Sequence, residues 1–469
     1  MRITERPPQN WAKVEPATSS AVNDGLPDLL EALRIPSVSA ESRDLGESAH
    51  YLRELLQRDG WSADVVQIDS NPIVFAETGS DGGPSLILYG HHDVQPTDPA
   101  AAWESPPFEP TIRDGRIFGR GTSDNKGQFF SHIFAARAIR DALGEVPVRL
   151  KLVLDGREES GSAELPTFID RKRSRLEDAR MCVTADGPTR HEERPEIVFG
   201  VRGSLQFRLT VRTTATDLHS GNFGNLAPSA AWRLARIVAE LKGADGRVTV
   251  PGFYDHVVPP TKAEREALDS LPFDTAKAQA AIGAAFLDGP SDVPPLERIM
   301  FLQTFTVTGI QGGYTGPGFK TVIPSEATAY VDVRLVVDQD PGWMYNLLKD
   351  YIERLAPEAQ LSQLGSYRPS RTQLDSPEAS LLADAVTIGF GQRPLKVPCA
   401  GGSLPDGAFA TGLGIPVFNV PYGAPDQRNH APNENIRLDH ILKGTRTSAA
   451  LFLLLAEVNG NRKRRSRLA

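Results

Sequence analysis

Short apolar runs, each bounded by turn residues and followed closely by acidic or histidine side chains, recur along this chain. Ser85 to Gly90 leads into His91, His92 and Asp93, and Val148 to Leu154 leads into Asp155, Gly156, Arg157, Glu158 and Glu159. Met181 to Thr184 precedes Asp186-Gly187-Pro188, and Pro416 to Val420 leads through a Gly- and Pro-rich loop to His430. Runs of this length and composition predict buried strands of a mostly parallel sheet. In such sheets ligands bind beyond the carboxyl ends of the strands, where all four polar groups fall. A fifth group, Asp124 within Gly119 to Gly127, precedes apolar i, i+4 sets (Phe130/Phe134/Ala138 and Ala135/Ile139) that predict a buried helix.

The pattern changes near Gly200. From Ser204 to Thr213 apolar Leu205, Phe207, Leu209 and Val211 alternate with polar Gln206, Arg208, Thr210 and Arg212, which predicts a strand of a sheet with one wet face. A helix around Ala227 to Leu241, strands near Thr304 to Ile310 and Thr328 to Val337, a helix near Trp343 to Leu355 and a strand near Ala359 to Ser366 complete a compact α+β unit. Helix-strand alternation resumes after about residue 375. The expected architecture is therefore α/β, with a mostly parallel sheet flanked by helices (1–200 and 375–469) and an inserted α+β lid (201–374). Hinges are expected near Gly200 to Gly203 and Arg371 to Ser376.

Composition narrows the function classes. A chain of 469 residues, 40% hydrophobic and 23% charged, is of ordinary globular type and long enough for two or three domains. A formal charge of −8 argues against a nucleic-acid partner. No run approaches the roughly 18 to 20 apolar residues of a membrane span, and the polar start lacks the apolar core of a signal peptide, so a cytoplasmic location is expected. Residues 1 to about 20 read as an arm over the surface or between subunits, and the basic run Arg462 to Arg467 as a solvated, disordered tail. Two cysteines, Cys182 and Cys399, are too few for a disulfide framework or a Cys-based zinc site. Cys182 reads as a small buried hydrophobe.

Any metal must then be held by His and carboxylates. A divalent ion such as zinc takes such ligands, and a catalytic site keeps a position open for water. The supply matches two ions: His91, Asp124 and Asp186 for one, and Asp124, Glu159 and His430 for the other. Asp93, two residues after His91, is suited to fix the imidazole tautomer. Glu158 is suited to move a proton between water and a leaving amine. Each pattern alone is common in surface loops, and joint placement after separate strands carries the argument. His50, His92, His132, His191, His256 and His440 lack such context and read as structural or surface residues.

Six segments, in order, carry a family resemblance: Gly90 to Pro96; Gly119-Arg120-Gly121 with Asp124 to Gly127; Glu158 to Ser162; Asp217 to Gly221; Lys320 to Pro324; and Gly401-Gly402-Ser403. Over about residues 20 to 455 the chain resembles the dinuclear zinc peptidases typified by cytosolic non-specific dipeptidase, carnosinase, aminoacylase and succinyl-diaminopimelate desuccinylase. The resemblance implies five metal ligands, His91, Asp124, Glu159, Asp186 and His430, with Asp124 bridging and the Asp124–Asn125 peptide cis. It implies Glu158 as general base, and two metal ions, zinc first with manganese or cobalt as alternatives. His219 matches a histidine that stabilises the oxyanion in a partner subunit's site, which implies a homodimer through the lid. Arg334, Thr321, Gly402 and Ser403 match substrate-holding positions, Arg334 for a terminal carboxylate. The residues alone would make Arg334 a cross-strand salt-bridge partner.

Within the family, Asp at position 186 favours the dipeptidase branch, so hydroxide held by two metal ions is expected to hydrolyse dipeptides or short peptides. Two departures stand out. No second lid histidine lies between His256 and His430, where Arg368 or Arg371 could substitute, and Asp155 replaces the usual Glu. The alternatives are an N-acyl-amino-acid amidohydrolase and a non-catalytic metal-binding homologue.

Overall fold

The computed structural model describes residues 7–80, 82–190, 194–284 and 288–468, those beyond 458 by backbone alone. The chain packs as two compact units. One comprises the residues up to Gly200, Arg371–Pro398 and those from Ala408 on, and the other comprises Val201–Ser370 and Cys399–Gly407. The sequence reading put all of 375–469 with the catalytic part. Instead Cys399–Gly407 packs with the second unit, where Arg202 donates to the Gly401 carbonyl (2.6 and 2.8 Å) and Arg334 Nη1 to Ser403 Oγ (2.8 Å).

The first unit is built on an eight-stranded sheet in the order Ser62–Ile68, Asn71–Thr78, Arg149–Asp155, Ser85–His91, Ala179–Thr184, Val417–Asn419, Glu196–Val198, Leu395–Val397. Strands Arg149–Asp155, Ser85–His91, Ala179–Thr184 and Val417–Asn419, which carry the four predicted apolar runs, are mutually parallel. Antiparallel pairing appears toward the edges, with Asn71–Thr78 against Arg149–Asp155 and Ser62–Ile68 outside it. Ser85–His91 is buried along its whole length, as expected for a central strand covered on both faces. Cys182 is fully buried among Ile87, Tyr89 and Val417.

The predicted buried helix is Lys126–Leu143, with Phe129, Phe130, Ile133, Phe134 and Ile139 wholly inaccessible. Against it packs the helix Trp11–Arg34. That helix corrects the surface-arm reading, because Trp11, Val14, Thr18, Ala21, Val22, Gly25 and Leu29 form a buried stripe. The contact is close at Gly25, where an added Cβ would lie 2.3 Å from Phe134 Cε1. The basic run 462–467 is also corrected: the backbone of helix Leu438–Leu468 continues through it.

The second unit holds a four-stranded antiparallel sheet in the order Thr304–Gly312, Glu326–Leu335, Gly203–Arg212, Ala359–Tyr367. Leu205, Phe207, Leu209 and Val211 are fully buried, packed with Leu234 and Ile237 of helix Ala230–Leu241 and Met344, Leu348 and Ile352 of helix Pro341–Leu355. Gln206, Arg208 and Arg212 on the other face are exposed. Three short helices between these elements, Lys262–Ser270, Thr275–Ile282 and Pro295–Phe301, have no counterpart in the sequence reading.

Candidate active site

The acidic and histidine groups of the first unit sit at strand ends, at helix starts and, for His430, in a loop between two strands. His91 is the last residue of its strand, and its amide donates to Asn125 Oδ1 (3.3 Å). Close packing there requires glycine before it, since a Cβ on Gly90 would lie 2.7 Å from Phe129 Cβ and 2.8 Å from Asn125 Oδ1. The Asp124–Asn125 peptide is cis. Asp186, two residues beyond Ala179–Thr184, is held by Asn419 of the neighbouring strand, which accepts its N–H and donates to its carbonyl (both 3.0 Å). His430 has a left-handed backbone, φ 59°, in the loop before Asn435–Arg437.

These groups form two clusters that share one carboxylate. His91 Nε2 lies 3.0 Å from Asp124 Oδ1 and 3.6 Å from Asp186 Oδ2, whereas His430 Nε2 lies 3.0 Å from Asp124 Oδ2 and 3.3 Å from Glu159 Oε2. Within each triad, His91/Asp124/Asp186 and Asp124/Glu159/His430, the ligand atoms lie within 4.8 Å of one another. Asp93 does more than the sequence suggested. Its Oδ1 is 3.3 Å from His91 Nδ1, and its two oxygens accept the amides of Glu158 (3.1 Å) and Glu159 (3.0 Å). One carboxylate thus orients an imidazole and fixes the acidic loop.

Electrostatics follows from crowding in a dry place. Burial, together with the negative charges around them, pushes the carboxyls of Glu158, Glu159 and Asp186 above the ordinary range, Glu158 farthest. Burial pushes Asp124 up too, but hydrogen bonds from His430 and His91 outweigh it and hold its carboxyl below that range. Hydrogen bonding to Asp124 and Glu159 raises His430 to about 10. His91 is raised as well: burial opposes its charge, and Asp124, Asp186 and Asp93 more than compensate.

The donor set fits divalent cations. Carboxylates this close demand positive charge, and Glu159 Oε1 is buried with no hydrogen-bond partner among the described residues while Oε2 accepts from Gln95 Nε2 (2.8 Å). A buried carboxylate oxygen lacking a donor is expensive unless a cation meets it.

In the second unit, His219 and Thr321 are brought together, His219 Nε2 lying 3.2 Å from Thr321 Oγ1 and Nδ1 accepting the Gly221 N–H (3.1 Å). His219 is exposed. Arg334 pairs with Asp332 on its own strand (2.9 Å) rather than across strands, and with Ser403, next to Gly402. Of the histidines set aside, His92, His132 and His440 are buried, His50 is exposed, and His191 lies outside the described residues.

Comparison with known proteins now bears on this geometry. Residues 87–453 match the description of peptidase family M20/M25/M40. The chain belongs to that family. It is 33% identical to an M20 family metallo-carboxypeptidase from Sulfolobus solfataricus, whose crystal structure superposes with a TM-score of 0.87 over 92% of this chain and 99% of that one. It is 28% identical over 400 residues to the Beta-Ala-His dipeptidase of Homo sapiens, covering 83% of this chain and 78% of the relative. The Cys-Gly metallodipeptidase of Saccharomyces cerevisiae is 26% identical over 466 residues, 92% of this chain and 95% of that protein. Polar residues that sequence reasoning missed include Gln95, which donates to Glu159, Asn419, which holds Asp186, and Glu434, which accepts the Ser123 and Asp124 amides. They act through long-range hydrogen bonds that leave no spacing signal.

Proposed function

We propose that this peptidase hydrolyses the peptide bond of dipeptides at a dinuclear metal centre, zinc first among the candidate ions with manganese or cobalt as alternatives. His91, Asp124 and Asp186 would hold one ion and Asp124, Glu159 and His430 the other. The observation that carries this reading is the Asp124 carboxylate, each of whose oxygens faces a different histidine-headed cluster at 3.0 Å. Relatives named for cleavage of β-Ala-His and Cys-Gly support dipeptides as the substrate class.

When bound, the ions would lower the pKa of a water molecule and polarise the scissile carbonyl. Glu158 would take the proton from that water and deliver it to the leaving amine, a role suited to a half-buried carboxyl whose proton affinity lies above the ordinary range. Asp93 keeps the His91 ring and the Glu158–Glu159 loop in register through the contacts above. Arg334, whose Nε and Nη1 are steadied by Asp332 and Ser403, would take the substrate carboxylate, aided by Thr321, Gly402 and Ser403. His219 would stabilise the oxyanion in the site of a second copy.

A homodimer through the second unit belongs to this reading. Leu226, Trp232, Ile310 and Phe319 of that unit are 76, 72, 63 and 91% exposed, more large apolar surface than an isolated unit needs. A cytoplasmic setting suits a chain whose cysteines, Cys182 and Cys399, are two in number and both buried. The 33% identity to a metallo-carboxypeptidase favours one second reading, release of carboxyl-terminal residues from longer peptides.

The test is amine release from Ala-Ala, Gly-Leu, tripeptides, amino-terminally blocked peptides and N-acetyl amino acids, after reconstitution separately with zinc, manganese and cobalt. Rapid dipeptide cleavage abolished by a chelator supports the proposal. Preference for blocked longer peptides selects the carboxypeptidase, and turnover of N-acyl amino acids alone selects an amidohydrolase.

A further inference from the structure

The second unit contains a cavity of about 250 Å³ lined by residues that include Arg202, Lys242, Asp288, Arg298 and Gln303. Lys242 Nζ pairs with Asp288 Oδ2 (2.7 Å), which leaves two guanidinium groups. Arg298 donates to the carbonyls of Val293 (2.6 Å) and Asp288 (2.9 Å). Arg202 donates to the carbonyls of Gly401 and Leu302. Among the described residues neither arginine makes an ion pair with a carboxylate. Arg202 is only 8% exposed, and burial pushes its pKa down to about 10. A buried cation whose hydrogen bonds all go to carbonyl dipoles, with no carboxylate in contact, attracts an anion.

Beside these cations stands an acceptor without a donor. Gln303 is 6% exposed, its Nε2 donates to the Phe253 carbonyl (3.3 Å), and its buried Oε1 has no hydrogen-bond partner among the described residues. Val248, Ile299, Leu302 and Phe305 supply an apolar wall. The volume falls below the roughly 300 to 1,000 Å³ of pockets for drug-sized ligands, so the occupant is small.

We propose that this cavity binds a free α-amino acid with an apolar side chain, its carboxylate meeting Arg202 and Arg298 and its ammonium donating to Gln303 Oε1. The cavity is built from residues other than those assigned to the substrate. Its ligand class is also that of a dipeptidase product, and this connection alone rests on the reading above. Because Arg202 holds the Gly401 carbonyl, the ligand would touch a residue that supports the loop carrying Ser403.

Calorimetric titration of the intact, metal-loaded protein with L-leucine, L-leucinamide and 4-methylpentanoate tests the proposal. Leucinamide lacks the carboxylate and 4-methylpentanoate the ammonium, so each is expected to bind at least about tenfold more weakly than leucine. Ile299→Trp, which fills the cavity from a partly exposed position, and Gln303→Leu are both expected to weaken leucine binding. Arg334→Met should leave it intact. Absence of leucine binding overturns the proposal, as does binding that survives Ile299→Trp but disappears in Arg334→Met, which would place the ligand at the substrate position. Heat rather than turnover is the readout, so a chain without dipeptidase activity would still show the site.

Discussion

Arg120 and Glu434 form a fully buried ion pair, Nη1 to Oε2 2.7 Å, between segments 314 residues apart in the chain. The other oxygen of Glu434 accepts the amides of Ser123 (2.9 Å) and Asp124 (3.0 Å). The pair therefore sets the backbone from which the shared Asp124 carboxylate projects. Replacing Glu434 by Ala strands the guanidinium and two amides, and is expected to cost about 3 to 5 kcal/mol. Chemical denaturation measures that loss. Metal titration of the folded variant should also show weakened affinity, whereas unchanged affinity would confine Glu434 to stability.

Removing one histidine should separate the two triads. His430→Ala deletes a ligand of the Asp124/Glu159 cluster and leaves His91, Asp124 and Asp186 in place. Elemental analysis after dialysis is expected to find half the metal of the wild type, with dipeptide turnover lost. Full metal occupancy in the variant would rule out His430 as a ligand.

Glu158→Gln preserves shape and removes the proton acceptor. If Glu158 shuttles the proton, kcat should fall by roughly 10²- to 10⁴-fold, with KM and metal content little changed. Turnover equal to wild type would end the general-base assignment.

The groups now clustered were visible in the sequence because each follows a buried strand or precedes a buried helix, so that pattern and chemistry coincide. His91, Asp124, Glu159, Asp186 and His430 were all found this way. Glu434 was not, since a carboxylate in the polar run Asn433-Glu434-Asn435 looks solvated until its partners 311 and 314 residues away are known. The helix Trp11–Arg34 was missed for a different reason. Its buried stripe includes the small residues Thr18, Ala21 and Gly25, and at Gly25 closeness to Phe134 rather than hydrophobicity sets the residue. Of the three short helices between 262 and 301, two begin at capping side chains, the Thr261/Glu264 box and Asp274, and the third begins at Pro295.

The exposed apolar residues of the second unit predict an assembly. Trp232, 72% exposed on helix Ala230–Leu241, has no structural need to be apolar within its own unit. Trp232→Glu is expected to convert a dimer to a monomer in sedimentation velocity, with the thermal transition of the subunit retained. If wild type itself sediments as a monomer at assay concentrations, His219 must serve its own chain.

His132 predicts how stability falls in acid. The ring is buried in helix Lys126–Leu143, Nδ1 lies 2.8 Å from Ser448 Oγ, and burial alone lowers its pKa from 6.5 to about 3. The unfolded chain therefore binds a proton near pH 6.5 that the folded chain refuses until near pH 3. Stability from this residue is complete above 6.5 and is lost as pH falls through that window, at up to about 1.4 kcal/mol per pH unit. Burial shifts His92 and His440 in the same direction, so their contributions carry the same sign. Urea unfolding at pH 7, 6 and 5 should show a dependence of stability on pH that differs between wild type and His132→Gln by up to one proton, the variant losing less stability as pH falls. Equal slopes in the two proteins would mean that His132 becomes protonated without unfolding, through a local opening of the contact with Ser448.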